Sequence, residues 1–131
     1  MRFLTLSSLL LFLFSVTFAQ ERVMTLDDVF SLHRVANPVV SPDGKWVAYT
    51  VSAKDLEKDK SETRIWMAPT AGGKAIPMTA KGYSANQPAW SPDGQFLSFL
   101  ATKGEGKSQV WTLNRLGGEA EQLTKVPQGV N

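Results

Sequence analysis

The feature that most constrains this chain is that it repeats itself. Residues Pro38-Val39-Val40-Ser41-Pro42-Asp43-Gly44-Lys45-Trp46-Val47-Ala48-Tyr49 are answered fifty positions later by Pro88-Ala89-Trp90-Ser91-Pro92-Asp93-Gly94-Gln95-Phe96-Leu97-Ser98-Phe99. The second half of each unit also matches, now at an offset of 45. Ile65-Trp66-Met67 pairs with Val110-Trp111-Thr112, Gly72-Gly73 with Gly117-Gly118, and Thr79 with Thr124. The difference of five falls in one stretch, about Ser52 to Thr63, which is rich in Lys, Glu and Asp and reads as a solvated loop that tolerates insertion.

Each unit resolves into four short strands. Ser-Pro-Asp-Gly is turn chemistry, with Pro presetting φ and Gly supplying a positive φ, and it joins strand one to strand two. Strand two, Trp46 to Val51 or Phe96 to Ala101, is apolar on both alternating faces, as expected of a strand covered on both sides. Strand three holds the Trp66 or Trp111 segment, and a Gly-Gly turn returns the chain into a brief fourth strand ending near Thr79 or Thr124. Pro77 lies in that fourth strand and places it at a sheet edge, because proline cannot donate to a central ladder. A four-stranded repeat of this period is a propeller blade rather than half of a sandwich. The expected fold is therefore all-β: an incomplete β-propeller of two four-stranded antiparallel blades, preceded by a short helix and a signal peptide. Its parts are residues 1–19, signal peptide; 20–37, helix and connector; 38–80, blade one; and 81–131, blade two with the start of a link to a third. Two blades do not close a ring, and the spacing places the next turn near residue 136. The expectation is thus the N-terminal piece of a longer protein.

The N-terminus carries an export signal. Arg2 gives a positive start, Leu4 to Phe18 is almost wholly apolar, and Thr17-Phe18-Ala19 sets up cleavage before Gln20. The apolar run is shorter than a spanning helix needs, so no stable membrane anchor is expected after cleavage. The mature protein is expected in a periplasm or outside the cell. Beyond it, Thr25 can cap a helix of about ten residues whose first turn holds Asp27 and Asp28.

Composition excludes several chemistries. A formal charge of +2, with basic and acidic residues interspersed, leaves no nucleic-acid stripe. With no cysteine, disulfides, thiolate metal sites, a cysteine nucleophile and a lipoprotein attachment point are all ruled out. His33 is the lone histidine, and the carboxylates are dispersed, so no metal ligand set is assigned. Neither Gly-Gly pair sits in a phosphate-binding fingerprint, and no cofactor is expected. Ser41 and Ser91 stand before proline rather than inside a Gly-x-Ser-x-Gly elbow, so they and the repeated Asp43 and Asp93 read as turn residues. Trp46, Trp66, Trp90 and Trp111 read as packing between blades. No catalytic residue is assigned, and the chain alone is expected to be inactive.

The segment from Met24 to Phe30, continued by Arg34 to Tyr49, resembles the start of secreted bacterial members of the prolyl oligopeptidase family, of the acylaminoacyl-peptidase and dipeptidyl-aminopeptidase types. The repeats also resemble those of TolB-like periplasmic and other WD-like propellers. The first resemblance implies a propeller that gates access of short peptides to a C-terminal α/β-hydrolase domain, where a Ser, Asp and His outside this chain perform acyl transfer. Peptide substrates would then be the partners of the full-length protein. The second implies a non-enzymatic binding or scaffold propeller.

Overall fold

In the computed structural model the described residues are 23–55 and 59–131. The expected signal peptide and its cleavage site lie outside them. Thr25 caps α1 (Leu26–Ser31) through a capping box: its hydroxyl accepts from the Asp28 amide while Asp28 accepts from the Thr25 amide at 2.8 Å. The helix is six residues rather than about ten. None of its residues is buried; beyond the cap its tertiary contact is with the strand Trp46–Asp55, where Lys54 lies over the Phe30 ring at 5.8 Å, and a short helix with so little packing does not propagate.

Eight strands follow: β1 (Arg34–Val40), β2 (Trp46–Asp55), β3 (Lys60–Pro69), β4 (Ile76–Pro77), β5 (Ala85–Trp90), β6 (Phe96–Ala101), β7 (Gln109–Asn114) and β8 (Glu121–Gln122). They form two four-stranded antiparallel sheets, ordered β1-β2-β3-β4 and β5-β6-β7-β8. These are the two blades read from the repeat. Pro77 lies in the outer edge strand β4, as its missing N–H requires.

Two elements differ from the sequence reading. β1 begins at Arg34, inside the expected connector, because Arg34, Val35 and Ala36 pair with Ser52, Val51 and Thr50. The stretch from Ser52 to Thr63 is not a loop throughout. Ser52 to Asp55 pair with Lys60 to Thr63, so the additional residues lengthen the β2–β3 hairpin. Charged residues that suggested a loop satisfy the exposed end of a ladder equally well.

Alternation sets the core. Ala48, Thr50, Ile65 and Met67 share one face of the first sheet, and Leu97, Phe99, Ala101 and Leu113 share one face of the second. All eight are buried, and the two faces meet in one cluster. Phe99, 1% exposed, is its largest side chain. The blades are also tied by polar links: Trp90 Nε1 donates to the Val39 carbonyl at 3.1 Å, the Thr63 amide to Ser84 Oγ at 3.1 Å, and the Arg115 guanidinium to Asp43 at 3.3 Å.

Candidate functional site

The repeated turns were the first candidates for chemistry, and their geometry is structural. In each, the glycine amide donates to the serine carbonyl at 2.9 Å, closing a β-turn with Gly44 at φ +70° and Gly94 at +68°. Ser41 Oγ donates to Asp43 at 2.6 Å and accepts from the Trp46 amide at 3.0 Å; Ser91 Oγ does the same with Asp93 at 2.6 Å and the Phe96 amide at 2.9 Å. The aspartates also accept from the Lys45 and Gln95 amides. The serine hydroxyl and then the backbone amide hold both carboxyls below their ordinary pKa. These hydroxyls face an ionised carboxylate, with no base beside them that would raise their nucleophilicity.

His33 is exposed, and among the described residues no group of three His, Cys, Asp or Glu converges on a metal position. The tryptophans divide. Trp90 and Trp111 both pack against the cluster between the blades; Trp90 Nε1 reaches across to Val39, while Trp111 Nε1 donates to the Ala101 carbonyl of its own blade at 3.2 Å. Trp66 pairs with Tyr49 on the face opposite the buried Ile65 and Met67, so it faces away from blade two and carries Arg64 over its ring at 5.6 Å. Trp66 and Trp111 hold the same place in their blades, opposite Tyr49 and Phe99 respectively, so the face that Trp111 turns to blade one is the face that Trp66 leaves without a neighbour among the described residues.

Three further features bear on function. The first is a crevice of about 390 Å³ over Trp111, edged by Lys103, Lys107, Lys125 and Glu105. Lys103 Nζ lies 4.0 Å from the Trp111 ring centroid and 4.7 Å from that of Tyr83, so its charge already rests between two aromatic faces. Gln109 at its base spends its amide on Val126 and Thr124, closing the segment after β8 onto β7. The second is a pair of open faces. Val47, Tyr49, Val51 and Trp66 form the outward face of blade one, and Phe96, Ser98, Leu100 and Thr112 that of blade two. The third is the bulged inner edge of each blade, at Asn37 and Gln87. A sequence signal existed for it, since a carboxamide precedes the repeated proline in both units.

No protein-family model matches the chain. Curated relatives do, two of which cover most of it. The uncharacterized peptidase YuxL of Bacillus subtilis is 34% identical over 111 residues, 85% of this chain and 17% of the relative. Dipeptidyl-peptidase 5 of Porphyromonas endodontalis is 28% identical over 86% of the chain and 16% of its own length. The chain thus spans about a sixth of the curated relatives it matches. Solved structures share its fold: Pyrococcus horikoshii acylaminoacyl peptidase (TM-score 0.61, 21% identity, 74% of this chain and 15% of that one), the β-propeller domain of the Trilobed protease from Pyrococcus furiosus (0.54, 21%, 70% and 28%), and a putative TolB from Agrobacterium tumefaciens (0.54, 22%, 72% and 31%). With its blade repeat, its two antiparallel sheets and these peptidase relatives, the chain is a β-propeller segment similar to those of peptidases of the prolyl oligopeptidase type.

Proposed function

We propose that this chain forms the N-terminal propeller portion of an exported serine peptidase that cleaves short peptides, gating their access to a C-terminal α/β-hydrolase domain lying outside the 131 residues. The observation that carries the reading is the peptidase match across 85% of the chain, through both blades. Two further facts support it. The turn serines and aspartates are committed to backbone geometry, so the chemistry falls to another domain. The open faces of both blades present the same kind of surface that the two blades bury against each other, as a blade within a longer ring does. Export with cleavage before Gln20 belongs to the same proposal, as do the lack of a nucleic-acid partner and of a lasting membrane anchor.

A non-enzymatic binding propeller is the second reading, supported by the TolB structure's likeness in fold at a TM-score of 0.54, against 0.61 for the acylaminoacyl peptidase. Labelling the native protein in its source cells with a fluorophosphonate separates the two. The expected result is a labelled species of several times 14.4 kDa that yields peptides of this sequence, with Gln20 at its mature N-terminus. An unlabelled species selects the binding propeller.

A further inference from the structure

The inner edge of each blade holds a carboxamide residue in the left-handed backbone region, which asparagine tolerates better than glutamine. Asn37 and Gln87 stand at φ +52° and +51°, the left-handed region in which glycine is the ordinary occupant. They occupy the same bulge, since register shifts between Ala36 and Val39 in β1 and between Asn86 and Ala89 in β5. Each precedes a proline, a placement that favours extended backbone instead. Both side chains are exposed, on strands that have a sheet neighbour on one side only. Glycine would take this backbone without strain, yet both blades hold a carboxamide there. Strain kept at equivalent positions of two blades calls for a role other than stability.

We propose that Asn37 and Gln87 are contacts, one per blade, for the main chain of an extended peptide passing along the propeller axis. The inference rests on the peptidase reading above. The first strand of a blade lines the central channel, so the exposed side chains at its bulge reach into that space. A carboxamide offers one acceptor and two donors without charge, which complements the C=O and N–H of a peptide unit whatever its side chain. Asn37 is partly oriented already: its Nδ2 donates to Thr50 Oγ1 at 3.4 Å, and Thr50 Oγ1 donates to the Ala36 carbonyl at 3.0 Å. That leaves Asn37 Oδ1 to accept from a peptide N–H. Blade two has Leu100 where blade one has Thr50, so the longer Gln87 lacks this tether and keeps both donors for a ligand.

The test uses the ¹⁵N-labelled mature chain carrying Tyr49→Lys and Phe96→Lys on its open faces to keep it monomeric, titrated with N-acetyl-tetra-alanine amide, alongside the N37G/Q87G double variant on the same background. Expected are saturable shifts of the Asn37 and Gln87 side-chain NH₂ resonances. In the double variant affinity falls about tenfold, for two lost hydrogen bonds, while the melting midpoint rises as strain is relieved. Retained affinity in the double variant overturns the proposal, as does the lack of saturable binding to the parent chain. Peptide binding together with a negative fluorophosphonate result would leave the contacts in place on a non-enzymatic propeller, so the two readings fail separately.

Discussion

At the scale of single residues, the turn aspartates couple stability to acid. Asp43 and Asp93 titrate below the ordinary 3.8 because the Ser41 and Ser91 hydroxyls, then the Lys45 and Gln95 amides, donate to the ionised form. A depressed folded-state value means the stabilisation is complete above the unfolded-state pKa and is lost as pH falls through the folded one. Denaturant midpoints measured from about pH 6 to 2 are expected to drop on the acid side, and the Asp43→Asn/Asp93→Asn variant to show a flatter acid limb. An unchanged limb would show the turns to be carried by Pro and Gly alone. Trp90→Phe isolates another residue-level term. It keeps a six-membered aromatic ring but removes the pyrrole N–H that reaches the Val39 carbonyl across the blades, together with some packing, at an expected cost of at least about 1 kcal/mol in chemical denaturation.

At the scale of elements, the lengthened β2–β3 hairpin projects beyond the part of the blade that packs. Its pairs from Ala53 to Asp55 with Lys60 to Glu62 hold no buried residue, whereas the pairs from Ala48 to Thr50 with Ile65 to Met67 supply the core. Deleting residues 56–60 brings the hairpin to the length of its blade-two counterpart, and a change in unfolding free energy within about 1 kcal/mol is expected, since loop length itself contributes little. A larger loss in thermal melts would assign the projection a packing role. The same hairpin shows what was legible in the sequence. Turns, strand order and the edge position of Pro77 could be read because Gly, Pro and Asp act locally, through φ and missing donors. The end of a ladder could not, since exposed strand and exposed loop both favour Lys, Glu and Asp. Nor could the Lys103 position between Tyr83 and Trp111, because it depends on partners in separate elements, while the bulge at Asn37 and Gln87 left only the trace of a carboxamide before the repeated proline.

At the scale of the whole molecule, one interface holds two blades together while two equivalent faces stay open. The strand-two aromatics Trp46, Tyr49, Phe96 and Phe99 do not all lie on open faces. Phe99 instead fills the space between the blades at 1% exposure, while Phe96 remains 41% exposed on the far side of the same strand. The single interface is therefore concentrated on few residues, and Phe99→Ala is expected to remove about 3–5 kcal/mol, a large part of what a domain this size holds. The open faces act in the opposite sense. Tyr49 with Trp66 on blade one and Phe96 on blade two lie where the repeat places inter-blade packing, and Leu123, 67% exposed, extends the apolar surface. A face of blade one and a face of blade two differ in shape, so their contact between copies is head-to-tail and continues beyond a pair. Sedimentation of the mature chain is expected to show association that grows with concentration, and Tyr49→Lys with Phe96→Lys to shift it toward monomer. A parent chain that sediments as a monomer and melts in one sharp transition would mean that a single inter-blade interface suffices, and that the open faces need no neighbour.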